Sequence, residues 1–294
     1  MKLLQAIVMG LIQGITEFIP VSSSGHLAVI KSLFNIETET GVLFDVLLHV
    51  ATIVAIIINF YKDIMRLLYE FCLMVKDVFY NIVVFFKSVT GASVKEDYIS
   101  IITNAYRKFV ILIFISTVPT GILGILLNDI VDFSTGNLLI TAVCFISTGL
   151  IVLLSDFIPD KGKRLKEANY GDAFCVGVAQ GIATLPGLSR SGTTITASLL
   201  CGFDRRFAAK YSFIMSIPAI LGALVLELTH IGEETVTGSD VGCYIVGMII
   251  AAIIGIVALK FVINLINRKT MKFFSFYCIG LGFLSIIIYI FKLK

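Results

Sequence analysis

Six stretches of this chain stay apolar for about 20 residues each: Gly41 to Phe60, Lys108 to Leu127, Asn137 to Ser155, Ala208 to Leu228, Val241 to Ile266 and Phe273 to Phe291. At about 1.5 Å per residue, a helix of that length crosses the roughly 30 Å hydrocarbon layer of a bilayer. The chain is therefore expected to be all-α, a polytopic membrane helix bundle. With only 15% of residues charged, against roughly 25% in soluble domains, the 294 residues read as a single integral membrane domain, 1–294. The formal net charge of +3 is scattered and forms no long basic or acidic run, which removes nucleic acid as a partner. The six cysteines lie far apart in or beside apolar runs, so they read as small packing residues rather than as disulfides or metal ligands. The N-terminal apolar stretch resembles a signal peptide, but polar Gln13 and Glu17 follow where small cleavage-site residues would be needed, and it is expected to stay in the mature protein.

Two further apolar segments, Leu3 to Phe18 and Tyr170 to Leu185, are too short to span. Each runs into Pro, Gly and Ser before a second short helical stretch, Gly25 to Phe34 and Gly192 to Cys201. They read as broken or re-entrant helical hairpins, and they resemble each other. At an offset of 167, Gly10, Gln13, Gly14, Ile15, Ser22, Ser24 and Gly25 match Gly177, Gln180, Gly181, Ile182, Ser189, Ser191 and Gly192, seven of sixteen positions without a gap. The agreement falls on the polar interruptions and points to a duplicated unit, repeat one about 1–130 and repeat two about 165–294. If Ile64 to Val89 lies along the surface as an amphipathic helix, three spans separate the hairpins and the second copy is inverted. Inverted repeats of discontinuous helices put a binding site near the midplane, because irregular backbone at that depth must line a protected polar cavity. On this topology seventeen of the twenty-three Lys and Arg residues share one side. The positive-inside rule places that side in the cytoplasm and both termini outside.

The first interruption, Gln13 to His26, sets Gln13 and Glu17 on one helix face and breaks at Pro20. It then passes through Ser22, Ser23, Ser24 and Gly25 to His26. A serine-rich turn is an ordinary helix cap in water, but at membrane depth it needs a polar partner. The second, Leu185 to Thr194, presents the backbone from Ser189 through Ser191, Gly192 and Thr193 to an anion at a helix start, with Arg190 as a planar fork for phosphate oxygens. Structural roles stand beside each of these readings. Arg190 and Glu17 can form a buried bridge, Glu17 alone can be a satisfied buried acid, and His26 can cap a helix. His49 reads as a hydrogen-bonded core histidine and His230, beside Glu233 and Glu234, as solvated, while Asp45 and Glu227 can snorkel from span ends.

Together, Gln13, Glu17, the run Pro20 to His26 and the run Pro186 to Thr194 resemble the paired signatures of the undecaprenyl-pyrophosphate phosphatases of the bacitracin-resistance family. The likeness extends over nearly the whole chain. It implies removal of the terminal phosphate of a C55 isoprenoid pyrophosphate in the bacterial plasma membrane, regenerating the carrier lipid for cell-wall synthesis with Mg2+ or another divalent cation. It carries catalytic roles to Glu17, Ser23, His26 and Arg190, with Glu17 also a metal ligand. Gln13, Ser22, Ser24, Ser189, Ser191, Gly192 and Thr193 are expected to bind substrate. The family's first acidic position is the neutral Gln13 here, which weakens a two-carboxylate metal site. The expected partners are the prenyl pyrophosphate and membrane lipid, with a second copy of the chain as a further candidate. Ser23, activated by His26 or Glu17, is favoured as nucleophile over His26 or water. The rival reading is a lipid-phosphate or anion transporter with a midplane site.

Overall fold

A computed structural model of the protein describes residues 2–33, 41–90, 97–134, 137–228 and 238–292. His230, Glu233 and Glu234 lie outside these. Twelve α-helices fill the described residues: α1 Leu3–Thr16, α2 Ser23–Leu33, α3 Gly41–Asn59, α4 Tyr61–Val89, α5 Ala105–Leu126, α6 Asn128–Ser134, α7 Leu138–Phe157, α8 Tyr170–Ile182, α9 Arg190–Leu200, α10 Arg205–Leu228, α11 Gly238–Asn267 and α12 Lys272–Lys292. Local chemistry sets several starts. Asn104, Asn137 and Asn169 each cap the next helix, their side-chain oxygens accepting backbone N–H groups of its first turn.

Lipid is the solvent of this bundle. Helices α5, α7, α10, α11 and α12 are each long and apolar enough to cross a membrane, and the bent pair α3 and α4 brings the number to six. On α5, Phe114, Val118, Ile122 and Ile125 form a stripe along one face, each more than half exposed. Ile245, Ile249, Ile253 and Val257 do the same on α11. Stripes this long on the outside of a folded protein mark a surface made for apolar surroundings.

Helix α4 turns away from α3 by 95° and carries buried Ile64, Leu67, Met74 and Val84 on one side. It is tied to the start of α5 by Arg107, which donates to Glu70 at 3.1 Å, to Asp77 at 2.6 Å and to the Ile101 carbonyl at 2.9 Å. Lys210 at the start of α10 and Tyr106 both donate to Asp63, at 2.9 and 2.8 Å.

The short helices sit at the centre, each against a long one. Helix α1 packs on α11 and α8 on α5; α3 and α10 pack on each other and also on α11 and α5 respectively. Small residues permit the close approach. A Cβ added at Gly10 or Gly14 would run into the α11 backbone at Gly247 or Ala251, and one at Gly177 or Gly181 into Ser116 or Leu123 of α5. Backbones in contact through small residues are a main source of helix association in lipid. At Gly177 the added Cβ would stand 2.7 Å from the Ser116 Cα, where no side-chain rotation relieves the clash. Gly177→Val is expected to cost at least about 2 kcal/mol through forced separation of α5 and α8, read as a lowered unfolding temperature in detergent. An unchanged transition would show that the two helices are not held this close.

Candidate active site

The chain between α1 and α2 leaves the helix after Thr16, and the turn ends at Ser22, a non-glycine residue with φ of +69°. That conformation is unfavourable by about 1 kcal/mol for an L-residue. Two contacts hold it: Gly25 N–H donates to the Ser22 hydroxyl at 3.2 Å, and the Ser22 carbonyl meets His26 Nδ1 at 2.6 Å. A carbonyl only accepts, so Nδ1 carries a proton. In the neutral ring Nε2 then accepts from the Tyr277 hydroxyl, 2.7 Å away.

The loop between α8 and α9 is built alike. The Ser189 hydroxyl accepts from Gly192 N–H at 3.0 Å, and the pairs Ser22–Ser24 and Ser189–Ser191 stand at 3.4 and 3.3 Å. Gly187, with φ of +94°, makes the reversal a side chain would resist. The two loops touch. Gly187 N–H donates to Ser24 Oγ at 3.4 Å, and a Cβ at Gly25 would press on the Gly187 Cα at 2.9 Å. Thr148 of α7 braces the second loop, accepting from Ser189 N–H at 2.9 Å and donating to the Gly187 carbonyl at 3.0 Å.

Glu17 lies where the loops meet, 6% exposed. Its Oε1 accepts from Arg190 Nη2 across the interface. Its Oε2 accepts from Ser23 Oγ at 2.7 Å and from Gln13 Nε2 at 2.8 Å. His49 Nδ1 stands 2.9 Å from both Glu17 Oε2 and Gln13 Nε2. Protonated, it donates to the carboxylate; deprotonated, it accepts from the amide. The Gln13 carbonyl oxygen is buried without a partner among the described residues.

Beside this carboxylate lies a cavity of about 230 Å3. Glu17, Ser22, Ser23, Ser24, Ser189 and Arg190 line it, together with Thr16, His49, Thr120, Thr184 and Gln180. Val46, Ala219, Ile220 and Ala223 supply apolar walls. Helices α2 and α9 both begin at its edge, so two positive helix ends and a guanidinium surround a space beside one carboxylate. An anion is the natural occupant.

Not every residue singled out in the sequence reaches this space: Gln13 is fully buried, holds Glu17 and is not part of the lining. Ser191, Gly192 and Thr193 sit in the first turn of α9 behind the lining, Gly192 against Val152 and Pro20. His26 faces the other way: its ring stacks on Tyr277, meets Phe145 edge-on and uses both nitrogens on Ser22 and Tyr277. The imidazole beside the acid is His49, which the sequence reading left in the core. The signal was available, since His49 is an ionisable group in the middle of an apolar run. Gln180, the partner of Gln13 in the repeat, does line the cavity; its Nε2 donates to Thr120 at 3.3 Å and its oxygen has no partner among the described residues. Asp45 is paired with Lys31 at 2.6 Å rather than extended alone. The six cysteines are free thiols.

Comparison with known proteins bears on this geometry. A family model described as bacitracin resistance protein BacA matches residues 6–284. The undecaprenyl-diphosphatase of Alkaliphilus metalliredigens is 34% identical over 287 residues, 98% of each chain. That of Methanobrevibacter smithii is 37% identical over 279 residues, 95% of this chain and 94% of the relative. That of Halothermothrix orenii is 37% identical over 291 residues, 98% of each chain.

Proposed function

Because the chain belongs to the bacitracin resistance protein BacA family, we propose that it is an undecaprenyl-diphosphatase. It removes the terminal phosphate of undecaprenyl pyrophosphate and so returns the carrier lipid to cell-wall synthesis, in the bacterial plasma membrane. The observation that carries this reading is Ser23 Oγ at 2.7 Å from a buried carboxylate that Arg190 reaches from the opposite loop. An anion carrier needs the positive cavity but not an activated hydroxyl.

Phosphoryl transfer requires charge neutralised on the non-bridging oxygens, an in-line nucleophile and positioning. Arg190, at present on Glu17, would turn its fork to the pyrophosphate, joined by the helix starts at Ser23 and Arg190. Ser23 Oγ attacks the terminal phosphorus and passes its proton to Glu17; the bond to the bridging oxygen breaks and undecaprenyl phosphate leaves. Water then attacks the phosphoserine phosphorus, the bond from Ser23 Oγ to phosphorus breaks, and the proton held on Glu17 returns to Oγ as phosphate is released. His49 and Gln13 hold the carboxylate in place. The walls formed by Val46, Ala219, Ile220 and Ala223 lead the first part of the prenyl tail away toward lipid.

A magnesium ion suits the donors present. Such an ion needs only one or two carboxylates and completes its shell with phosphate oxygens and water. Glu17, the one carboxylate among the described residues that line the cavity, offers that minimum, although no group of three His, Cys, Asp or Glu side chains occurs among the described residues. When bound, the ion would take up part of the pyrophosphate charge.

The paired packing of α1 on α11 and α8 on α5, with equivalent serine bonds in both loops, supports the inverted-repeat reading, each half giving one loop to the site. A second copy of the chain stays a candidate partner.

Purified protein in detergent should release phosphate from undecaprenyl pyrophosphate, faster with magnesium than after chelation. Substrate labelled at the terminal phosphate and quenched in acid should leave label on Ser23. Absence of phosphate release would remove the proposed function; release without label would remove Ser23 as nucleophile.

In this scheme His26 and Tyr277 keep the Ser22 turn in the conformation that delivers Ser23. Tyr277→Phe removes one hydrogen bond, with a net value of about 1 kcal/mol, or roughly fivefold. It should therefore lower kcat by about that factor with KM little changed. A rate equal to wild type would detach Tyr277 from the site.

A further inference from the structure

On the far side of the bundle from the paired loops, the start of α10 and the segment joining α7 to α8 enclose an open cavity of about 1020 Å3. Five cations line it, Lys161, Arg164, Arg205, Arg206 and Lys210, against three carboxylates. Each carboxylate is already engaged. Asp63 accepts from Lys210 and Tyr106, Asp160 from Gly162 N–H at 2.9 Å, and Asp204 from Phe207 N–H at 2.8 Å with Arg164 3.9 Å away. Lys161, Arg205 and Arg206 have no carboxylate within ion-pair distance among the described residues.

Arg205 is the telling one. It is 4% exposed, and its Nη2 donates to the last carbonyls of α7, at Ser155 and Ile158, at 3.0 and 3.3 Å. Its Nε and Nη1 are buried with no hydrogen-bond partner among the described residues. A guanidinium held out of water with two nitrogens unpaired is suited to an anion beside it. Arg205 precedes Ala219, in the wall of the first cavity, by fourteen residues of α10, or about 20 Å along the helix axis. The two cavities are therefore separate.

We propose that this cavity is a second anion site, which takes a phosphate group on Arg205, Lys161 and Arg206. The group can belong to an anionic phospholipid of the adjoining leaflet or to free phosphate; the recognition chemistry is shared. This inference does not depend on the phosphatase reading.

The test uses full-length protein carrying Arg190→Ala, so that the buried cavity contributes no clamp, with and without the rim substitutions Lys161→Ala and Arg206→Ala. The rim side chains are exposed, and equal unfolding temperatures in phosphate-free buffer establish that both proteins fold. Titration calorimetry with inorganic phosphate should show one site per chain, weakened at least tenfold by the rim substitutions. Repeating the titration with phosphatidylglycerol or phosphatidylcholine in the micelles separates the sources. Competition by the anionic lipid alone, or its rim-dependent retention in native mass spectrometry without phosphate binding, identifies a headgroup. Phosphate binding that neither lipid displaces identifies the free ion. If phosphate does not bind and both proteins retain phosphatidylglycerol equally, or if phosphate binds both equally, the proposal is overturned.

Discussion

Glu17→Gln should lower kcat by on the order of 10³-fold, the scale of a lost general base, while the protein still inserts and unfolds cooperatively. The amide has the same shape, so packing around α1 is kept and the carbonyl oxygen can still accept from Ser23. The negative charge that takes the serine proton is gone, and with it the anionic donor for a metal ion. Arg190 also loses its partner across the loops. Because Arg190 remains partly exposed to the cavity, solvent can take up part of that loss, and stability should fall far less than activity. Phosphate release and the unfolding temperature measured on one preparation separate the two effects. Near-normal turnover would end the assignment of Glu17.

Arg190→Lys should lose about 10²-fold in kcat/KM. The charge is preserved and a lysine can still pair with Glu17, so a purely structural bridge would largely survive. What disappears is the planar fork that contacts two phosphate oxygens at once, and a point charge on a flexible stem does not replace it. The loss falls in the range seen when one preorganised transition-state contact is removed. A wild-type rate in this variant would show that the Glu17–Arg190 pair only ties the two loops together.

Much of the fold could be read from hydropathy because lipid enforces it. The six apolar runs correspond to α3, α5, α7, α10, α11 and α12, and the proline and serine interruptions correspond to the breaks after α1 and α8. The offset of 167 carries α1 and α2 onto α8 and α9 almost residue for residue. The site was legible where neighbours in sequence are neighbours in space, as with Gln13, Glu17 and Ser23, and where the repeated motif pointed across the chain, as with Ser189 and Arg190. Contacts made by segments outside the two repeated motifs left no such trace. The placement of His49 follows from α3 packing beside α1, 36 residues on, and the engagement of His26 from α12, 251 residues on. A serine-rich turn ending in histidine reads as one catalytic cluster, yet one turn of helix is enough to send Ser23 to Glu17 and His26 to Tyr277. The basic cavity at Arg205 was hidden for the same reason, since its cations come from separate stretches and looked like the ordinary positive edge of a membrane protein.

The most direct test of the account is a double-mutant cycle on the two residues that join the loops. Glu17→Ala, Arg190→Ala and the double variant are compared by kcat/KM for undecaprenyl pyrophosphate at matched magnesium and detergent, each checked for folding. If both residues act on one transition state, neither can remove the same stabilisation twice, and the double variant should be little worse than the poorer single. Losses that multiply would mean that the loops act independently, and the contact between Glu17 and Arg190 would not be the centre of the active site.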